Sequence, residues 1–175
     1  MTEPATDRPH LRDAGPEELD EVSELIRDAY LEYQAHFPPE RWEGYVRDMM
    51  DVRSRLGVAD LIVAEVAGRL LGAVTFYPEA SHSDRERWPV GWAGVRLLAV
   101  LPDARGLGIG KALMDECLRR CRQRAVPTLG LHTTEPMNVA RGMYERMGFV
   151  RTPEYDFHVG QGLVVMAYRL DLTPS

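Results

Sequence analysis

The chain has 175 residues, 45% of them hydrophobic and 27% charged, with a formal net charge of −6. That length and mix suit a globular domain with a sizeable core, and the acidic balance argues against a broad nucleic-acid surface. No run of about 18 apolar residues occurs, so no membrane span is expected, and the opening MTEPATDRPHLRDAG lacks a signal-peptide core, which leaves the cytoplasm as the expected compartment.

In chain order, residues 1–9 read as a loose, polar, proline-bearing arm and residues 10–172 as a single domain. HLRDA reads as a short first strand. GPEELDEVSELIRDAYLEYQAHF predicts a helix, because Leu19, Val22, Ile26, Ala29, Tyr30 and Tyr33 recur at helical spacing behind a proline start. FPPE ends it, since a proline pair cannot continue a helix. A second helix carries Trp42, Tyr45, Val46, Met49 and Met50. ADLIVAEVAGRLLGAVTFYP predicts a hairpin turning at Ala67 and Gly68, and EASHSDRERWPVGW a polar loop closed by aromatics. AGVRLLAVL is nearly continuous apolar, as a central strand buried on both faces would be.

A helix follows to about Arg124. Its apolar stripe of Leu113, Met114 and Leu118 includes Cys117 and Cys121, which therefore read as buried reduced thiols rather than a disulfide or half a metal site. Arg119, Arg120, Arg122 and Arg124 fall at the helix end, where cations suit the negative end of the dipole. TLGLHT predicts a short strand, and EPMNVARGMYERMG a helix with proline near its first turn and Gly148 at its end. FVRTPEYDFHV and GLVVMAYRL predict two final strands with a turn at 160–162. No internal repeat or dividing linker is found.

The stretch VLPDARGLGIGKAL places Gly106, Gly108 and Gly110 between the apolar strand and a helix start. Glycine weakens strands and helices, so three at one junction imply close approach to the backbone. A strand, a short glycine loop and a helix start aim unpaired amides and a helix dipole at an anion, and Lys111 adds a charge in the first turn. A tight turn with close packing is the plain alternative. The phosphate-loop pattern fails, with Arg105 and Ala112 at its required positions. The dinucleotide fingerprint fails for want of glycine at Lys111 or Leu113.

What remains, Arg105-x-x-Gly108-x-Gly110 after Leu98-Ala99-Val100-Leu101-Pro102, resembles the pyrophosphate signature of the GCN5-related N-acetyltransferase (GNAT) superfamily. About 25 residues on, NVARGMYERMGF is similar to the family's second motif, and the element order matches from about His10 to Leu170. The resemblance implies an α/β (α+β) fold with a mixed, mostly antiparallel sheet of six to seven strands, flanked by about four helices, whose fourth and fifth strands splay. It implies acetyl-CoA as co-substrate and no metal. Backbone groups of Leu98, Ala99 and Val100 would pair with the pantetheine arm. Amides from Arg105 through Gly106, Leu107, Gly108, Ile109 and Gly110 to Lys111 would hold the pyrophosphate. Asn138 is similar to the family's pantetheine-contacting asparagine, one residue closer to the tyrosine than usual; a polar residue in a helix's first turn is the plain alternative.

Tyr144 lies on a stripe with Val139, Ala140, Met143 and Met147, which by itself reads as core. The resemblance gives it the role of proton donor to the departing thiolate, which its phenol, pKa about 10, suits. The carboxylate that some relatives use as base would fall at Gly94. Glu79, Glu135, Asp156, His132 and His158 are weak substitutes and no base is assigned. The amide of Val100 would steady the oxyanion. Arg96, a charge inside an apolar strand, needs an outlet or a partner: an ion pair in the protein, a snorkelled side chain or a substrate carboxylate.

By the same resemblance the first two helices and the loop after the third strand border the acceptor site. They offer Tyr30, Tyr33, Phe37, Trp42, Tyr45, Trp88 and Trp92, either as a pocket for an apolar amine or as helix-to-sheet packing. The expected partner is a small-molecule or peptide amine, with no nucleic acid and no membrane, and homodimers are frequent in this fold. The expected activity is an N-acetyltransferase acting by direct attack in a ternary complex. The alternatives are a non-catalytic acyl-CoA-binding regulatory module of the same fold and, disfavoured by the failed motifs, a nucleotide-phosphate-binding protein.

Overall fold

The computed structural model describes residues 8–83, 85–160 and 162–172. All but the last two residues of the expected arm at 1–9 lie outside them. The elements are β1 (His10–Asp13), α1 (Leu19–Tyr30), α2 (Pro39–Met50), β2 (Asp60–Val66), β3 (Arg69–Tyr77), β4 (Ala93–Val100), α3 (Ile109–Gln123), β5 (Thr128–Thr134), α4 (Asn138–Arg146), β6 (Val150–Arg151), β7 (Phe157–Val159) and β8 (Leu163–Asp171).

The sheet runs β1-β2-β3-β4-β5-β8-β6, with β7 also on β8. Every pairing is antiparallel except the parallel pair β4–β5. The sheet is therefore mixed and mostly antiparallel, with four α-helices, as the resemblance implies. It has eight strands because the expected strand FVRTPEYDFHV is broken: Pro153–Tyr155 form a 3-10 turn between β6 and β7. Proline there has no N–H to give a ladder. The expected first helix is likewise regular only from Leu19 to Tyr30, with 3-10 turns at Pro16–Glu18 and Leu31–His36. Beyond Tyr30 the apolar stripe ends in the exposed Leu31, and Pro38 forbids continuation. Helix α4 starts at Asn138, with Pro136 two residues before it, near its first turn as expected.

The sheet has a core on each face. Helices α1 and α2 pack Val22, Ile26 and Met49 against Val63, Ala73, Leu97 and Ala99. Helices α3 and α4 pack Ile109, Leu113, Met114 and Tyr144 against Ile62, Val74, Val95 and Leu131. Cys117 and Cys121 are fully buried free thiols in the second core, as their stripe predicts. Arg120 spans to Asp13 and Asp60 at 2.7 and 2.8 Å, so the basic end of α3 is fastened to β1 and β2.

Three details position the site. Gly72 brings α3 onto the sheet, since a Cβ there would lie 2.8 Å from Ile109 Cγ2. In β4 a bulge interrupts the ladder: Arg96 pairs with Thr75 and Ala99 with Ala73, leaving Leu97 and Leu98 opposite Val74 alone. Leu97 takes φ +54°, unusual for a branched side chain. Finally, β4 and β5 pair only at Ala93–Leu129, Gly94–Gly130 and Val95–Leu131. Past that rung the strands diverge, which is the splay the resemblance implies.

Candidate functional site

The fork between β4 and β5 opens into a cleft of about 570 Å³. One wall is the end of β4. Leu101 N–H donates to Leu71 O at 3.0 Å, so the intervening residue Val100 turns its own N–H and C=O away from β3 and into the gap. The carbonyl of Leu98 accepts a hydrogen bond from the Tyr30 hydroxyl at 3.1 Å, which pins the bulge to α1.

At the outer end, Gly106 and Gly108 hold φ of +80° and +76°, a region in which other residues are strained. A Cβ at either would meet nothing within 4 Å, so the loop presents bare backbone to the cleft. Gly108 caps α3, and its carbonyl takes the first intrahelical bond, from Ala112 N at 3.0 Å. The amides of Ile109, Gly110 and Lys111 therefore have no partner inside the helix. These groups fit a diphosphate: open amides, a helix dipole and no side chain in the way.

Of the residues singled out in the sequence, Leu98, Ala99, Val100, Arg105, Gly106, Gly108, Ile109, Gly110, Lys111, Asn138 and Tyr144 all line this cleft. Leu107 does not; its side chain is 67% exposed. Both cations are already paired: Lys111 with Asp115 at 2.7 Å, and Arg105, at the lip of the cleft, with Glu32 at 2.6 Å and the Ala29 carbonyl at 3.2 Å. Tyr144 is buried, its ring 5.8 Å from Phe149, and its hydroxyl has no hydrogen-bond partner among the described residues. Burial, then the nearby Cys117, pushes its pKa well up, so the phenol stays protonated. The tyrosine serves both readings, a core residue whose edge faces a cleft.

Gly94 pairs with Gly130 across the parallel rung, and neither has room for a side chain. A Cβ on Gly94 would lie 3.0 Å from Ala80 Cβ, and one on Gly130 would lie 3.0 Å from three ring atoms of Trp88. The loop after β3 fills this hollow. Among the weak substitutes for a base, Glu79 accepts from Ser81 and Gly91 amides at the surface, Asp156 pairs with Arg151 at 2.6 Å, and His158 is exposed. His132 borders the cleft with Nε2 on the Tyr155 carbonyl at 2.8 Å. Arg96 finds its partners in the protein, Asp48 at 2.9 Å and Glu86 at 3.5 Å.

The aromatics divide. Tyr30 and Tyr33 border the cleft, while Trp42 and Tyr45 pack with Phe37 in the core. Trp88 and Trp92 stack at 5.6 Å over the sheet. A second cleft of about 640 Å³ lies between the α1–α2 connection, the start of β8 and Glu135 and Pro136. Pro136 lines both clefts, so the two meet there. Sequence reasoning missed Glu32, Asp48 and Glu86. Each sits among charges that read as a solvated surface, and nothing along one chain shows them turning toward Arg105 or Arg96. Among the described residues no group of three or more His, Cys, Asp or Glu side chains is placed to hold a metal, and no helix is long and apolar enough to cross a membrane.

Comparison with known proteins agrees with this geometry. A mycothiol acetyltransferase of Thermomonospora curvata is 37% identical over 93 residues, 53% of this chain and 28% of that protein. One of Streptomyces coelicolor is 32% identical over 114 residues, 64% of this chain and 34% of that protein. The match thus spans about a third or less of those curated relatives. Among solved structures, an N-acetyltransferase of Thermoplasma acidophilum in complex with coenzyme A superposes with a TM-score of 0.69 at 18% identity, covering 91% of this chain and 97% of that one. A GNAT-family acetyltransferase of Staphylococcus aureus gives 0.71 at 16%, covering 94% and 99%. The model of the acetyltransferase (GNAT) family matches residues 19–149, the span that holds the fork, the glycine loop and Tyr144, and the chain belongs to that family.

Proposed function

We propose that this chain is an acetyl-CoA-dependent N-acetyltransferase for a primary amine of a small molecule or peptide. One observation carries the reading: the bare glycine loop at the start of α3 and the unpartnered phenol of Tyr144 face the same cleft at a strand fork. The mycothiol acetyltransferase relatives and the coenzyme-bound structural neighbours support it.

In this reading the amides from Gly106 to Lys111 hold the diphosphate, and Val100 meets the pantetheine arm by backbone hydrogen bonds, with Leu98 and Ala99 lining the cleft beside it, Ala99's own backbone groups facing Ala73 on β3, and Asn138 at the rim. When bound, acetyl-CoA supplies the acyl thioester. Val100 N–H, turned into the gap, stabilises negative charge developing on the acyl oxygen. Tyr144 gives its proton to the departing sulfur. The amine enters through the second cleft, where the carboxylate of Glu135 attracts an ammonium, and reaches the fork past Pro136. The ammonium first gives a proton to solvent water; the neutral amine then attacks the acyl carbon directly, the C–S bond breaks, and the surplus proton on nitrogen returns to the Tyr144 phenolate. Neither cysteine takes part, because burial raises both thiols far from the thiolate form.

The hollow at Gly94, filled by Ala80 and Trp88, leaves no carboxylate at that place and favours a second reading, an acyl-CoA-binding module without turnover. Calorimetric titration with coenzyme A and thiol release with a panel of amines separate the two. The enzyme reading expects binding together with amine-dependent thiol release. Binding without release from any amine supports the module, and absence of binding overturns both.

A further inference from the structure

The rung at which β4 and β5 part carries an arrangement that coenzyme binding does not require. The last paired residues are Val95 and Leu131. The next residue on each strand is basic, Arg96 on β4 and His132 on β5. One carboxylate oxygen, Oε1 of Glu86, lies 3.5 Å from Arg96 Nε and 3.3 Å from His132 Nδ1. The other, Oε2, accepts the indole N–H of Trp88 at 2.7 Å. All three side chains are nearly inaccessible, with 9%, 4% and 7% of Arg96, His132 and Glu86 exposed.

The surroundings fix each member. Trp88 rests on Gly130 and lies 4.5 Å from the His132 ring, so the indole and the carboxylate enter the fork as one unit. His132 Nε2 is held by the Tyr155 carbonyl, and its buried Nδ1, which has no hydrogen-bond partner among the described residues, lies 3.3 Å from Glu86 Oε1. Arg96 keeps a further carboxylate, Asp48, on the α2 side. Among the described residues no ladder pairing joins β4 to β5 beyond this rung, so the side chains lodged there bear on the separation. A carboxylate lodged between the diverging strands holds the Arg96 guanidinium by charge and lies against the His132 ring, which fixes the distance between the two side chains.

We propose that Glu86 is a positioning residue that sets the opening of the β4–β5 fork, one oxygen of its carboxylate clamping Arg96 on one strand to His132 on the other. The effect on coenzyme affinity rests on the coenzyme reading above; the clamp itself does not. It also explains why positions 94 and 130 carry no side chain of their own, since one there would displace the loop that delivers Glu86.

The test compares Glu86→Gln with Asp48→Asn, which removes a carboxylate from the same arginine without touching β5. Amide hydrogen exchange across residues 95–99 and 131–133 and the dissociation constant for coenzyme A are measured well below the thermal midpoint. Glu86→Gln should speed exchange on both strands and weaken coenzyme A by about fivefold. Asp48→Asn should lower the midpoint while leaving both readouts near wild type. Equal effects of the two variants, or unchanged exchange at 96–98 in Glu86→Gln, would overturn the clamp. Failure of the wild type to bind coenzyme A would sink the coenzyme reading while the exchange comparison still decides the clamp. If Glu86→Gln does not fold, His132→Gln addresses the same contact from β5 and should show the same exchange pattern; normal exchange in it overturns the proposal.

Discussion

Arg105 of the glycine loop donates to Glu32 of the α1–α2 connection at 2.6 Å, joining the two lips of the cleft. Both side chains are about two-fifths exposed, at 39% and 43%, so the pair contributes less than about 1 kcal/mol. An anion bound at the loop competes with Glu32 for this guanidinium. Glu32→Gln is therefore expected to tighten coenzyme A binding severalfold at low salt, with the gain shrinking as salt screens it. Titration calorimetry at two ionic strengths checks this, and weaker binding in the variant would show that Glu32 orients Arg105 instead.

Tyr144→Phe removes the phenol and keeps the ring. Turnover should fall by about a hundredfold or more, with coenzyme affinity within about twofold of wild type. The raised pKa adds a pH signature: the proton donor remains loaded above the ordinary tyrosine value of about 10, so between about pH 7 and pH 9.5 the wild type loses no turnover through this group. Unchanged turnover in the variant would remove Tyr144 from the chemistry.

Gly130→Ala drives a methyl to 3.0 Å from the Trp88 ring, and Gly94→Ala to 3.0 Å from Ala80. Both should destabilise by about 1–3 kcal/mol through overpacking, seen as a lowered thermal midpoint. Gly94→Glu should do the same without raising amine-dependent turnover. A gain in rate would mean that the loop yields and that a carboxylate fits there after all.

Glu116 bonds Arg119 at 2.7 Å and Arg120 at 2.9 Å, and their hydrogen bonds lower its pKa to about 2. A carboxyl depressed on folding stabilises above its unfolded pKa and ceases to do so as pH falls through the folded one. Glu116→Gln should thus lower the midpoint near neutrality by roughly 2–4 °C, for about 1 kcal/mol. The difference from wild type should close as pH drops from about 4.5 toward about 2. A gap constant across that range would place the contribution in packing.

The layers of the fold were legible because periodicity follows burial. Val22, Ile26 and Ala29 mark the inner face of α1, and the Ala67–Gly68 turn marks the hairpin. The glycine loop was legible because only glycine suits φ near +80° at 106 and 108. Three features were not. The bulge at Leu97 looks like any apolar residue in a continuous run. The break at Pro153 hides inside an otherwise strand-like stretch. Glu86 lies between Arg85 and Arg87, where local polarity speaks for solvent, and its burial depends on a hollow made by Gly94 and Gly130, which lie 36 residues apart in the chain but opposite each other in the sheet.

The extra residue at Leu97 changes the parity of β4. Ala93 and Val95 point toward α3 and α4, yet Leu97 and Ala99, also odd-numbered, point toward α1 and α2. The strand is two half-strands of opposite phase, joined where Tyr30 reaches Leu98. Removing one residue at 97–98 would bring the halves into step, invert the stretch leading to the glycine loop and return the gap-facing amides to ordinary ladder duty. The direction in which the last residues of β4 face the gap is thus written as a count of residues.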